Sequence, residues 1–137
     1  MSFEVIEHDG RRYAEIIWAS TTTDKTVFFS PAESSFQFGL LAHDAGFVEP
    51  AHYHLEIERR IDDLQQMFVV QRGVIAVDFF SDSGDRFREV ILRQGDAILL
   101  VSGPHSVRVL ETMQCVSVKQ GPFLGMDRDK VDVNVKR

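Results

Sequence analysis

Apolar residues along this chain fall into short runs, several of which alternate with polar residues, instead of following the longer period of amphipathic helices. Val, Ile and Phe dominate these runs, and such residues suit the pleated surface of a β-sheet. Gly, Pro, Asp and Ser separate many of the runs, as in tight turns. The predicted strands cover residues 13–18, 26–29, 36–41, 67–70, 74–80, 87–92, 97–101, 107–110 and 115–118. Short strands separated by regular turns predict an all-β sandwich or barrel.

One segment, residues 55–64, is compatible with two structures. Ile57, Ile61 and Leu64 recur at helical spacing, as in an amphipathic helix. The segment lies between two runs that both resemble strands, however, and its charged residues could equally face solvent on an extended arm. We therefore favour an irregular or extended loop over a helix.

The length of 137 residues suits one domain, and we assign residues 1–137 to a single barrel domain. Hydrophobic residues make up 44% and charged residues 26% of the chain, which is the balance of a globular protein. No apolar run reaches the roughly 20 residues that span a bilayer. The first residues contain acids and lack the apolar core of a signal peptide. These features predict a cytoplasmic protein with no membrane association.

Charge and cysteine content narrow the range of partners. The formal net charge of −6 argues against broad nucleic-acid binding, which requires a basic surface. A small anionic ligand stays possible, because a few local arginines can outweigh the global charge at short range. The single cysteine, Cys115, cannot form an internal disulfide, and its apolar alternating run predicts a buried small hydrophobe.

Three histidines fall at positions from which their side chains can meet. His52 and His54 are two residues apart, and in a strand such side chains project from the same face. Further along the chain, an apolar run leads into a Gly-Pro corner and then His105, so a neighbouring strand could deliver a third imidazole. Imidazole nitrogen binds Zn, Fe, Ni and Cu ions, and the pattern therefore predicts a metal centre. His8 and His43 lack partners at ligand spacing, and we interpret both as structural or exposed.

At these positions the sequence resembles the cupin superfamily. The first cupin motif runs from a glycine through His-x-His and a glutamate to a second glycine. The second motif runs from a glycine through an apolar strand to a corner and a histidine. The matching positions are Gly46, His52, His54, Gly73, Gly95, Gly103 and His105. The resemblance implies an all-β, single-domain cupin-like jelly-roll β-barrel, with a divalent metal ion (Fe, Zn, Ni or Mn) held by the histidines and the acid.

The position of the cupin glutamate is altered in this chain. Six residues separate Gln66 from Gly73, so Gln66 keeps the strand-to-glycine spacing and is our preferred fourth metal ligand. Glu58 is the alternative ligand, if the inserted arm folds back. The second motif is one residue short, and Val101 replaces the usual proline.

The replacement by Gln66 changes the charge of such a site. Three neutral imidazoles and a neutral amide leave the full charge of a divalent ion in place, which strengthens the ion as a Lewis acid and attracts anions. The resemblance therefore implies an enzyme acting on a small polar or sugar-like metabolite, with isomerase or epimerase and dioxygenase chemistry both open. The alternative is a non-catalytic barrel that binds a sugar or another small ligand.

Two further expectations concern the substrate and the oligomeric state. Residues 97–103 and 118–123 resemble small cupins associated with bacterial surface-polysaccharide biosynthesis, which implies a nucleotide-sugar or modified-sugar substrate. Barrels of this type resemble dimers that pair or exchange edge strands. We therefore expect a homodimer, with the strand at residues 13–18 as the candidate edge.

Overall fold

The computed structural model describes residues 3–136, and this part of the chain is nearly all-β. It contains β1 (Phe3–His8), β2 (Arg11–Ile17), β3 (Val27–Phe28), β4 (Gly39–Leu40), β5 (Gln66–Phe80), β6 (Arg86–Leu92), β7 (Ala97–Leu100), β8 (His105–Lys119) and α1 (Met126–Asp129). The all-β prediction is confirmed, and every expected run overlaps one of these strands. No helix within residues 3–136 is long and apolar enough to cross a membrane.

Most of the strands belong to one curled antiparallel sheet, which forms a half-barrel. The strand order is β1-β2-β7-β5-β6, and β8 also pairs with β5. β7 and β6 pair with the first and second halves of one edge of β5, while β8 follows its other edge along nearly the whole length. The short strands β3 and β4 form a separate two-stranded sheet.

The two longest strands differ from the sequence prediction, which placed a turn at Gly73 and broke each of them in two. β5 and β8 instead run through 15 residues each, and bulges between Val70 and Ile75 absorb the irregularity. Gly73 has a φ of +88°, and a Cβ there would lie 2.3 Å from the carbonyl oxygen of Thr112. Only glycine fits this backbone, so Gly73 bends the strand where a turn was expected.

The core is divided between the two faces of the curled sheet. The larger cluster contains Ile6, Tyr13, Ala14, Ile16, Val70, Ile75, Val77, Phe79, Val90, Leu92, Ile98 and Leu100. A smaller cluster contains Ile17, Phe38 and Leu99. Sequence neighbours such as Ile16 and Ile17 lie in different clusters, because side chains alternate along a strand. Cys115 is partly buried against the larger cluster, and desolvation raises the pKa of its thiol.

The expected edge strand at residues 13–18 is not an edge, and that prediction is wrong. β2, which covers most of these residues, pairs with β1 on one side and with β7 on the other. β1 was not among the expected strands, and its pairing covers the outer side of β2. The strands with an uncovered side in the large sheet are β1, β6 and β8.

Residues 43–64 form an exposed segment, which we call the arm. Every residue of the arm is exposed, and none belongs to a helix or a strand. The expectation that residues 55–64 are irregular or extended is therefore confirmed. The position of this segment, outside the sheet and without a paired strand, was not expected.

Both ends of the arm form polar contacts with the rest of the chain, and no such contact is seen for its middle. At the start, Nε2 of His43 lies 3.4 Å from Oγ1 of Thr26. At the end, the Ser35 hydroxyl donates a 2.6 Å hydrogen bond to Oδ1 of Asp63. Between these anchors, all polar contacts recorded for residues 48–62 are local to the arm.

Candidate metal centre

His52 and His54 lie side by side on the arm. Their ring centroids are 5.3 Å apart, and the ring planes are inclined by 76°. Both side chains belong to exposed residues, so neither imidazole is sealed from a metal ion in solution. The expected pairing of these two residues is present, although the backbone that carries them is not a strand.

The hydrogen bonding of His52 selects one of its two neutral tautomers. Nδ1 of His52 lies 2.9 Å from the carbonyl oxygen of Pro50. Because a carbonyl oxygen only accepts hydrogen bonds, Nδ1 carries the proton, which leaves the lone pair on Nε2. Metal-binding histidines commonly use one nitrogen for the metal while the other donates to a carbonyl in this way.

Glu49 is a neighbour of the pair that the sequence reasoning missed. Its Oε1 lies 3.7 Å from Nε2 of His52, three residues further along the chain. A carboxylate at this distance can stabilise positive charge at the His52 nitrogen or accept a proton from a nearby group. Glu58, the alternative ligand from the sequence, is also exposed on the arm, but no contact joins it to the histidines.

Gln66 begins β5 and points toward the larger core cluster. Gln66, Phe68 and Val70 are alternate residues of β5, so their side chains lie on the same face of the sheet. Val70 belongs to the larger cluster and Phe68 packs against it. Its Nε2 donates a 2.8 Å hydrogen bond to the hydroxyl of Ser117 on β8. The carbonyl Oε1 of Gln66 is then the atom that could face a ligand.

His105 begins β8 at the other end of the same ladder. It stands opposite Phe79, and directly opposed residues of two strands carry their side chains on the same face. His105 is an exposed residue, yet desolvation by the surrounding protein lowers the pKa of its ring. This outweighs a backbone hydrogen bond at Gly103, which raises the pKa, and the nearby Lys130 lowers it further. His105 is therefore neutral near pH 7, which is the form that binds a metal.

The four predicted ligands are thus divided between two parts of the molecule. The arm carries His52 and His54, whereas the core-facing side of the sheet carries Gln66 and His105 at opposite ends of β5. Across residues 3–136, no group of three or more His, Cys, Asp or Glu side chains is arranged to hold a metal ion. A four-ligand centre therefore requires the arm and the sheet to come together.

A second polar cluster, also missed from the sequence, is buried within the sheet. Asp78 is fully buried and accepts hydrogen bonds from Arg108, at 2.6 and 3.0 Å, and from Arg86, at 3.2 Å. The Arg108 guanidinium is the main reason that the pKa of Asp78 lies below its usual value. An acid within the apolar run at residues 74–80 was the available signal, since such an acid needs a cationic partner. All of these groups are engaged with one another, and the cluster joins β5, β6 and β8.

Comparison with known proteins gives no family for this chain. It matches no protein-family model, no curated protein and no solved structure.

Proposed function

We propose that this protein is a metal-binding β-barrel of the cupin jelly-roll type that acts on a small polar or sugar-like metabolite. A divalent ion (Fe, Zn, Ni or Mn) is bound by His52, His54 and His105, with Gln66 as the fourth ligand. The half-barrel closes around this centre when an arm covers the open side of the curled sheet.

The observation that carries the proposal is the position of the His52 ring, which lies against the Pro50 carbonyl on one side and beside His54 on the other. The bond from its Nδ1 to Pro50 leaves Nε2 with a free lone pair beside the ring of His54. Two exposed imidazoles this close can be brought onto one ion by side-chain rotation.

Residues of the sheet support the same proposal. His105 is held neutral by desolvation, so binding a metal requires no loss of a proton at pH 7. Gln66 keeps its carbonyl oxygen available, because its amide nitrogen is used by Ser117. Both side chains face the core side of the sheet, which is the side that a segment carrying His52 and His54 would have to cover.

A bound ion at this site would supply Lewis-acid chemistry or, if it is iron, oxygen chemistry. The ligands contribute no negative charge, so the site favours an anionic or strongly polar substrate. Glu49, which lies 3.7 Å from Nε2 of His52, is a carboxylate positioned to accept a proton from a bound substrate. This arrangement suits isomerase or epimerase chemistry on a sugar-like compound.

A non-catalytic barrel that binds a sugar or a similar ligand is the second candidate. It is favoured by Gln66, because an amide is a weaker ligand than the carboxylate of the cupin motif and holds an exchangeable ion less firmly. In that case the purified protein retains a ligand without converting it.

Metal content measured by elemental analysis tests the proposal. We expect close to one equivalent of Fe, Zn, Ni or Mn in the wild type after incubation with each ion and removal of excess. We expect the bound metal to fall at least about tenfold in His52→Ala/His54→Ala and in His105→Ala. His43→Ala is the matched control, since His43 is an exposed histidine of the same arm that stacks on Phe47 and is outside the predicted centre.

The result would contradict the proposal if no ion is retained by the wild type, or if His43→Ala loses as much metal as the other variants. Retention of a metal with turnover of a nucleotide-sugar or modified sugar supports the enzyme. Retention of a sugar without turnover supports the second candidate.

A further inference from the structure

The arm presents an exposed apolar surface. Seven large apolar side chains on the arm are between 44% and 84% exposed: Phe47, Val48, Tyr53, Leu55, Ile57, Ile61 and Leu64. Monomeric proteins rarely expose contiguous apolar patches larger than a few hundred Å². The backbone of the arm also has no ladder partner within residues 3–136, so a ladder with another strand is open to it.

The sheet presents a complementary surface along β8. β8 pairs only with β5, so the other edge of this 15-residue strand has no ladder partner among the described residues. Its apolar side chains are between 36% and 55% exposed, and they are Val107, Val109, Leu110, Met113, Val116 and Val118. A long exposed apolar edge of this kind is a template for the addition of another strand.

We propose that the arm of one chain pairs with the free edge of β8 in a second copy, so that His52 and His54 of one copy meet His105 of the other. The exchange is reciprocal, so two arms cover two edges around a two-fold axis and the assembly closes as a dimer. The assignment of the shared centre rests on the proposed function above, while the exchange of arms rests on the two uncovered surfaces.

The connection of the arm to its own chain argues against pairing with its own β8. The backbone N–H of Gln65 donates to Oε1 of Gln120, which fixes the end of the arm beside the last residue of β8. An arm lying along its own β8 from there runs parallel to it. Its connection to β5 would then have to cross the end of β8 where the chain leaves the sheet at Lys119, and crossed connections of this kind are avoided.

An antiparallel approach within one chain is also disfavoured. It would require the arm to run to the far end of β8 and turn back, but residues 51–61 contain no Gly, Pro, Asn, Asp or Ser to form a turn. A second copy imposes no such connection and offers antiparallel pairing, which is the commoner arrangement.

The length of the arm and the net charges of the arm and β8 are compatible with an exchange of arms between two copies. The arm has 22 residues, so fully extended it reaches roughly 70 Å, longer than the roughly 50 Å of β8. It carries six acids against two arginines, whereas β8 carries two basic residues against one acid. Opposite net charges favour the approach of the two segments.

Trypsin digestion combined with sedimentation tests the exchange without reference to metal. Trypsin cleaves after Arg59 and Arg60, which are exposed on the arm. We expect the wild type to sediment as a dimer, and the dimer to be cut at these positions at least about tenfold more slowly than the monomer obtained by dilution. We expect Val109→Asp, a change on β8, to release the monomer and restore rapid cleavage. Val131→Asp is the matched control at an 85% exposed residue of the tail.

Slow cleavage in a chain that sediments as a monomer indicates an arm folded on its own sheet and overturns the exchange. A wild type that is monomeric throughout, or a dimer that is cut as fast as the monomer, overturns it as well. If Val109→Asp and Val131→Asp dissociate the dimer to the same extent, the interface does not depend on β8, and the exchange of arms is overturned.

Co-expression of two defective chains tests the shared centre. The His52→Ala/His54→Ala chain and the His105→Ala chain each lack part of the site, and neither alone is expected to bind metal. In a mixed dimer with exchanged arms, one of the two sites is intact, so random pairing restores about a quarter of the wild-type metal. If the wild type binds metal but the co-expressed chains do not, the shared centre is overturned. A wild type that binds no metal contradicts the proposed function instead, and the digestion experiment still decides the exchange.

Discussion

The arm and strand β5 both contain large apolar side chains, yet these side chains lie in opposite environments. Phe79 and Phe80 of β5 have no exposed surface, whereas Tyr53 on the arm is 84% exposed. β5 has hydrogen-bonded strands on both sides, and the arm has no ladder partner within residues 3–136. Apolar composition alone does not bury a segment, because burial also requires partners for its backbone amide and carbonyl groups.

Polar side chains show the same difference between the two regions. Asp78 in β5 is bound by Arg86 and Arg108 from the two flanking strands. The polar contacts of His52 on the arm are with Pro50 and Glu49 of the same segment. The sheet therefore uses Asp78 to fix its own structure, while His52 makes no polar contact outside the arm and is left available for a ligand or a second chain.

The largest expected effect comes from removing a core side chain of the sheet. We expect Phe79→Ala to lower the free energy of unfolding by about 4 kcal/mol, since it leaves a cavity among buried residues. The equivalent truncation on the arm, Tyr53→Ala, should change it by less than about 0.5 kcal/mol in the monomer. Urea unfolding at a concentration where the chain sediments as a monomer measures both, and similar losses would show that the arm is packed on its own sheet.

Two glycines with positive φ provide a second comparison. At Gly73 a new Cβ would lie 2.3 Å from the Thr112 carbonyl oxygen, while at Gly46 on the arm nothing lies within 4 Å. Gly73→Ala combines backbone strain with a clash and should cost about 3 kcal/mol. Gly46→Ala should cost about 1 kcal/mol or less, from the backbone alone. Thermal unfolding of both variants measures which one loses more stability. A stability loss for Gly46→Ala equal to or larger than that for Gly73→Ala would contradict the prediction.

The smallest of these effects, at Asp78, depends on pH. Asp78→Asn removes the charge that Arg108 binds and should lower the free energy of unfolding by about 2 kcal/mol at pH 7. The pKa of Asp78 is lower in the folded state than its ordinary value, so its contribution is present above about pH 4 and is lost as the pH falls through the folded-state pKa. The difference between wild type and variant should therefore shrink below about pH 4.

Unfolding in urea at pH 7, 4 and 3 measures this dependence. Glu56→Gln on the arm is the control, and it should be within about 0.5 kcal/mol of wild type at each pH. A difference between wild type and Asp78→Asn that stays constant down to pH 3 would contradict the role of the Asp78 charge.

Much of the sheet could be predicted from the sequence, because alternation and turn residues act locally. The runs that became β2, β6 and β7 were expected within one or two residues of their ends. The continuity of β5 through Gly73 could not be read in the same way, since a glycine with positive φ serves equally in a turn and in a bulge. The pairing of β1 with β2 was missed because it depends on which strand reaches the outer side of β2.

The candidate site was predictable only in part, for a related reason. The spacing of His52 and His54 places two imidazoles together in almost any extended backbone, and the structure has them 5.3 Å apart. Whether His105 and Gln66 join them depends on where the arm lies relative to the sheet. No pattern within residues 43–64 encodes that position, because it is set by contacts with a surface distant in sequence.

By itself, the sequence determined the all-β class, the locations of most strands and the proximity of His52 to His54, since these follow from short-range alternation and spacing. Tertiary structure alone decided that the sheet curls into a half-barrel, that β8 keeps one edge without a partner, and that the arm stands apart from it. The physical reason is that strand pairing satisfies backbone hydrogen bonds between distant segments, so the local pattern can specify a strand without specifying its neighbour.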